Sequence, residues 1–382
     1  MKIAYVSTFD ARLVNSWSGT GYTIAKELEG RGIDIAFIGP LTEKHSFFYK
    51  VKQFLYQKIL KKRHVRQAEP AILQDYARQI LEQLEQINPD IVFAIWAYPI
   101  AFLECRQPII FVADATFPLM HNYYGDYTNL SAATIQNIRT LEQSALNHST
   151  AIIYSSQWAA DSAIIDYGTS ADKVYVVPFG AIIDNPPDEK KIEYFTRNRT
   201  NNAVCELLFL GVDWERKGGS IAFETMLELN QRGIDARLTV CGCVPPREFS
   251  HTQLHVIPYL DKNKENDRNQ LAALLEESHF LLLPTRKEAY GLVFCEASAY
   301  GLPSITTNTG GVSEIIRNGI NGYALPLDSG KQEYADIIER LWTNHEQYKQ
   351  LSLSSFQEYK TRLNWNVATN NIKNILESIH KK

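Results

Sequence analysis

The sequence predicts an α/β protein built from two doubly wound halves, and three observations lead there. Short runs of β-branched, aliphatic and aromatic residues alternate with amphipathic helical stretches through most of the 382 residues, the pattern of parallel sheets covered by helices on both faces. A polar, charged stretch over 185–202, carrying Pro186-Pro187, interrupts that alternation midway and reads as a linker. The length suits two domains, each with its own core. We therefore expect domains over 1–184 and 203–365, followed by a last helix over 366–382.

The first strand is expected over 3–6. A Ser/Thr/Asp loop and the segment Trp17-Ser-Gly19-Thr-Gly21 follow it, then a helix with Ile24, Ala25 and Leu28 on one face. A glycine loop between strand and helix lets backbone approach a ligand, though it is also an ordinary turn. Further strands are expected over 34–38, 91–95, 109–112, 151–154 and 174–177, with helices over 71–87, 131–146 and 157–167 between them. The second half repeats the scheme with strands over 206–211, 236–241, 255–257, 280–283 and 304–306. It ends in helical patterns over 331–362, with a break, and 366–380.

Composition narrows the function. The net charge is −4 with both signs mixed along the chain, so no general field holds nucleic acid. Cys105, Cys205, Cys241, Cys243 and Cys295 are irregularly spaced and mostly in apolar contexts, which suggests buried thiols in a reducing, cytoplasmic compartment. The amino terminus has too short an apolar run for a secretory leader, and the apolar stretch over 91–103 contains Pro99 and is too short to span a bilayer. His251 and His255 have metal-like spacing but no supporting motif, and there is no Asp-x-Asp pair, so no metal is expected.

The stretch over 284–326 carries the chemistry. An apolar strand run ends in a Pro-Thr loop holding Glu288. A helix then begins near Gly291 and contains Glu296 in its first turns. Exposed N–H groups at such a helix start favour an anion. Two carboxylates beside it suit hydroxyl donors, and a ligand with both phosphates and hydroxyls is a nucleotide sugar. Gly310-Gly311 before Val312 offers further backbone donors.

Glu288-Ala-Tyr-Gly291-Leu-Val-Phe-Cys-Glu296-Ala, Gly301-Leu-Pro303, Gly310-Gly311-Val-Ser-Glu314 and Asn318-Gly319-Ile-Asn-Gly322 together resemble the donor-site signature of the retaining glycosyltransferases of family 4. The resemblance implies the GT-B fold, two Rossmann-like domains facing a cleft. It also implies a nucleotide-sugar co-substrate rather than a resident cofactor, and a last helix that returns to the first domain. It places Glu288 on the transferred sugar and Glu296 on the ribose, with Tyr290, Gly291 and Leu292 at the nucleotide. Gly19 matches a glycine loop at the donor diphosphate.

Arg216 and Lys217, in Gly211-Val-Asp-Trp-Glu-Arg-Lys-Gly218-Gly219, precede a helix start, where cations oppose the helix dipole and suggest an anionic partner. Pairing with Asp213 and Glu215 at the surface is the plainer account. Many family members carry an arginine directly after the first glycine, whereas this chain has Val212. The resemblance nevertheless carries the diphosphate role to Arg216 and Lys217. Asp114, at the end of the 109–112 strand, occupies a position where a histidine is common in the family. It either bonds a sugar or acceptor hydroxyl or caps a helix near Phe117.

These readings point to glycosyl transfer from a nucleotide sugar, a UDP-sugar ahead of a GDP-sugar, to an acceptor that is lipid-linked or a polysaccharide. The rivals are a sugar-nucleotide epimerase and a non-catalytic nucleotide-sugar-binding subunit. One segment stands apart. Over 44–66, Phe47, Phe48, Val51, Phe54, Leu55 and Ile59 fall at helical spacing among Lys50, Lys52, Lys58, Lys61, Lys62, Arg63 and Arg66. Either this basic amphipathic helix packs its apolar face as core, or it contacts an anionic membrane at the inner face.

Overall fold

The computed structural model describes residues 1–14, 16–43 and 46–381. The chain forms two compact units, Met1–Pro178 with Trp365–Lys382, and Phe179–Asn364. The first carries a parallel sheet of β1 (Lys2–Val6), β2 (Asp34–Ile38), β3 (Ile91–Ile95), β4 (Ile109–Ala113), β5 (Ala151–Tyr154) and β6 (Val174–Val176), ordered β2-β1-β3-β4-β5-β6. The second carries β7 (Cys205–Leu210), β8 (Ala236–Cys241), β9 (Leu254–Ile257), β10 (Phe280–Leu283), β11 (Ser304–Thr307) and β12 (Gly322–Leu325), ordered β12-β11-β10-β7-β8-β9 and also parallel.

Central strands of such sheets face helices on both sides, so they read as unbroken apolar runs. Strands β3, β4 and β10 are buried at every residue. In the first unit, helix Pro70–Ile87 packs Ile72, Leu73, Tyr76, Ile80 and Leu84 against the same core as Val92, Ala94 and Phe111. The last helix, Trp365–His380, belongs to this unit and buries Ala368, Ile372, Ile375 and Leu376. Beside it, Arg31 donates to the Asn366 carbonyl at 2.9 Å and Lys373 to the Arg31 carbonyl at 3.2 Å.

Residues 185–202 do not form a linker. They hold helix Glu189–Thr200, capped by Asp188, whose side chain accepts from the Lys191 N–H. Its polar composition hides a buried stripe of Ile192, Phe195, Thr196 and Arg199. The Arg199 guanidinium is buried and donates to the carbonyls of Leu275, Glu276, Tyr300 and Gly301 at 2.7 to 3.1 Å. It thereby satisfies the carboxyl ends of two further helices, Glu265–Glu277 and Leu292–Ala299, where a cation suits both the open carbonyls and the dipole. Strand β12 is short, begins on a glycine and pairs with β11 alone, which gives it little strand signal in the sequence.

Candidate active site

The second unit has the strand order of a dinucleotide-binding sheet, and its connections diverge between β7 and β10. Ligands bind such sheets beyond the strand carboxyl ends at that divergence. The loops leaving β7 and β10 meet there. Gly218, with φ +74°, ends the first loop, and a Cβ on it would lie 2.0 Å from the Pro284 carbonyl oxygen, so only glycine allows the approach. The Arg286 N–H donates to the Arg216 carbonyl at 2.7 Å across the same junction.

This junction brings together three residues that the sequence analysis selected. Lys217 Nζ pairs with the Glu288 carboxylate, and both side chains are buried. Arg216 Nη1 lies 3.8 Å from the same carboxylate oxygen and donates to the Lys287 carbonyl at 3.1 Å. Asp213 turns the loop by accepting from the Arg216 N–H at 3.0 Å, and its other oxygen lies 3.5 Å from Arg216 Nε. The plainer account of Arg216 as a surface partner of Asp213 therefore describes one of its contacts. Lys217 and Glu288 instead form a buried ion pair at a strand-end loop.

Glu296 lies in helix Leu292–Ala299, which Gly291 opens with φ +103°, and its buried carboxylate accepts from Lys262 Nζ at 2.6 Å. Lys262 follows β9 in a turn, and nothing in its sequence context marks it as a partner. Leu292 and Val293 stand half-buried at the helix start, where the first N–H groups have no intrahelical acceptor. The Tyr290 side chain is committed elsewhere. It is buried, its hydroxyl donates to the Phe179 carbonyl at 2.8 Å, and burial pushes its pKa up. Any nucleotide contact by Tyr290 must therefore come from its backbone. Val212 is 72% exposed at the position of the family's arginine.

In the first unit, the carboxyl ends of β1, β3 and β4 gather a different set. Trp17 Nε1 donates to Asp114 Oδ2 at 3.2 Å. Trp96, just past β3, meets Trp17 and Phe9 edge-on, each with ring centroids 5.4 Å apart. Trp17, Ser18 and Trp96 have φ of +48°, +53° and +64°, conformations that cost a side-chain-bearing residue about 1 kcal/mol or more and tend to mark functional sites. Gly19 follows with φ +85° and opens helix Thr20–Glu29. The helix near Phe117 has Thr116 at its cap position, and the Phe117 N–H is taken by Glu142 at 2.8 Å. Asp114 therefore does not occupy the cap position. Sequence reading missed Phe9 and Trp96, whose placement depends on left-handed backbone that no local pattern announces. Among the described residues, no group of three or more His, Cys, Asp or Glu side chains is placed to hold a metal.

Two Rossmann-like sheets with this order and site define the GT-B class of architecture. Solved structures agree. A glycosyltransferase from Rickettsia africae superposes with TM-score 0.66 at 16% identity, over 100% of this chain and 99% of that one. A protein of Anabaena solved in complex with UDP and glucose gives 0.65 at 16% identity, over 99% and 100%. A profile described as Glycosyltransferase Family 4 matches residues 21–184, and one described as Glycosyl transferases group 1 matches residues 205–344. The chain belongs to this family of group 1, family 4 glycosyltransferases. Glycogen synthase of Mycobacterium tuberculosis is 26% identical over 243 residues, 62% of this chain and 56% of that protein. The chain spans about half the length of the curated relatives it matches.

Proposed function

We propose that the protein transfers a glycosyl group from a nucleotide sugar to an acceptor, with retention at the anomeric carbon, using the second unit for the donor and the first for the acceptor. The observation that carries this reading is the Arg216, Lys217 and Glu288 assembly at the strand divergence of the second unit. When the bond from the sugar carbon to the diphosphate oxygen breaks, negative charge collects on the diphosphate. Arg216 and Lys217 offset it, and such preorganised charge is the main source of rate in this chemistry. Glu288 accepts from a hydroxyl of the transferred sugar and Glu296 from the ribose, while Tyr290, Gly291 and Leu292 offer backbone. UDP-sugars are preferred over GDP-sugars, in keeping with the UDP held by the Anabaena protein. The nucleotide sugar is a co-substrate, with no resident cofactor or metal.

Asp114, with the aromatic group around it, receives the acceptor, which is a lipid-linked saccharide or a polysaccharide reached from the cytoplasm. Calorimetry with free UDP and UDP-sugar tests the assignment. Glu296→Gln should weaken both ligands by about 1 to 3 kcal/mol, the cost of a lost charged hydrogen bond. Glu288→Gln should leave UDP binding nearly intact while turnover collapses. Equal loss of UDP affinity in both variants would overturn the division of roles, and release of a free sugar epimer without acceptor would replace transfer by epimerisation.

A further inference from the structure

Helix Ser46–Lys58 is mounted the opposite way round from an ordinary surface helix. Its polar side faces the protein. Tyr49 packs against the core of the first unit, Lys52 pairs with Glu69 at 2.7 Å, and Gln53 accepts from Arg66 at 3.4 Å. Tyr56 stacks on buried His64 at 4.5 Å, and His64 in turn bonds Glu69 at 2.7 Å. These contacts hold the helix by the residues at 240° to 340° of the helical wheel, taking about 100° per residue. The opposite arc, Phe47, Phe48, Val51, Phe54 and Leu55, stands in solvent, and Ile59 and Leu60 extend it beyond the helix. Phe47 is 81% exposed and Ile59 70%. The apolar stripe is therefore not core. Lys44 and His45, at the start of the expected segment, lie outside the described residues.

A contiguous apolar surface of this kind marks an interaction site, and the charges around it specify the partner. Lys50, Lys58, Lys61 and Lys62 are exposed beside it, with Lys58 Nζ 6.0 Å above the Phe54 ring. There is no acidic residue over 46–68. Of the other cations, Lys52 and Arg66 are paired inward with Glu69 and Glu43, and Arg63 with Asp126. An apolar arc ringed by four exposed lysines matches the interface of an anionic bilayer, where aromatic rings enter the headgroup boundary and lysines remain at the phosphates. A helix anchored by its polar face cannot turn that arc inward without breaking the Glu69 contacts.

We propose that the exposed face of helix Ser46–Lys58, with Ile59 and Leu60, is a docking surface for an anionic lipid bilayer. Among the described residues, no helix is long and apolar enough to cross a membrane, so the contact is peripheral and reversible. It is independent of the donor chemistry proposed above.

Cosedimentation with phosphatidylglycerol/phosphatidylcholine vesicles and with phosphatidylcholine alone tests it. The full chain should sediment with the anionic vesicles at low salt and be released as salt rises. Each of Lys50, Lys58, Lys61 and Lys62 changed to Gln should weaken partitioning about fivefold. Phe47→Ser with Phe48→Ser and Phe54→Ser should abolish it with an unchanged melting temperature, because these side chains are exposed. Phe48→Trp supplies a second readout, a blue shift of its emission on adding anionic vesicles, referenced to the parent chain. No sedimentation at low salt and no shift would overturn the proposal. So would a concentration-dependent dimer in analytical ultracentrifugation that the triple phenylalanine variant abolishes, which would assign the face to a second copy of the chain.

Discussion

Both sheets are parallel with a point where their connections diverge, although their strand orders differ, and the chemistry at that point differs too. In the second unit the divergence between β7 and β10 is charged, with Lys217 and Arg216 converging on Glu288 and with Lys262 on Glu296 nearby. In the first unit the corresponding divergence, between β1 and β3, gathers Phe9, Trp17 and Trp96, with the Asp114 carboxylate accepting from the Trp17 indole N–H. The presence of a divergence alone therefore does not choose the ligand. A diphosphate requires cations in a confined site, whereas a neutral saccharide offers C–H faces and hydroxyls, which aromatic rings and a single acceptor can match. The contrast supports a donor on the second unit and a saccharide acceptor on the first.

The charged side should break most severely. Arg216→Ala and Lys217→Ala are each expected to lower turnover of nucleotide sugar about a hundredfold or more, while binding of the nucleoside without phosphates stays close to the parent value. Lys217→Ala also takes the nearer of two cations from the buried Glu288 carboxylate, which costs stability. Combining it with Glu288→Gln should recover melting temperature but not turnover. Near-normal turnover in both single variants would erase the difference between the two divergences and send the search for a phosphate clamp elsewhere.

The units also differ in their response to pH. In the first, burial pushes the Glu142 carboxyl from its ordinary 4.5 up to about 7, despite hydrogen bonds from Tyr167 and the Phe117 N–H. The folded unit keeps a proton that the unfolded chain releases between those values, so stability falls as pH rises from 4.5 to 7. In the second, burial pushes His279 from 6.5 down to about 4. Its Nδ1 accepts from the Glu206 N–H at 3.0 Å, and its Nε2–H donates to the Arg199 carbonyl at 2.7 Å. Here the unfolded chain takes the extra proton, and stability falls as pH drops from 6.5 to 4. At full extent each contributes about 3 kcal/mol. Hydrogen exchange should show the second unit weakening towards pH 4 and the first strengthening, with Glu142→Gln flattening only the first response. Parallel responses in both units would refute the contrast.

What the sequence displayed depends on how local each cause is. The runs in β3, β4 and β10 are apolar because both their faces are covered, and that is legible residue by residue. So is the Glu288 to Glu296 spacing around Gly291. Helix Glu189–Thr200 was hidden because its stabilising partners, the carbonyls at 275, 276, 300 and 301, are distant in sequence. Lys262 was hidden for the same reason. Helical periodicity revealed the apolar arc at Phe47 to Leu55 but could not say which side meets the protein, since that is decided by His64 and Glu69. The Trp17, Trp96 and Asp114 cluster was half legible. Asp114 sits at a strand end, but its aromatic neighbours reach it through left-handed turns.

The smallest expected effect tests that cluster. Trp17→Phe keeps a ring beside Trp96 and removes the indole N–H that holds Asp114, a bond worth about 1 kcal/mol. If Asp114 receives the acceptor, its carboxylate loses one of the bonds that orient it. The KM for a saccharide acceptor found by panel screening should then rise about fivefold, with donor hydrolysis and melting temperature unchanged. Asp114→Asn keeps an oxygen that Trp17 can bond but removes the charge, so it should impair transfer more than Trp17→Phe does while sparing donor binding. A fall in melting temperature with normal acceptor kinetics in either variant would make the cluster a packing feature of the strand ends. The first unit would then lose its claim to a saccharide, and the aromatic and charged divergences would differ in composition without differing in ligand.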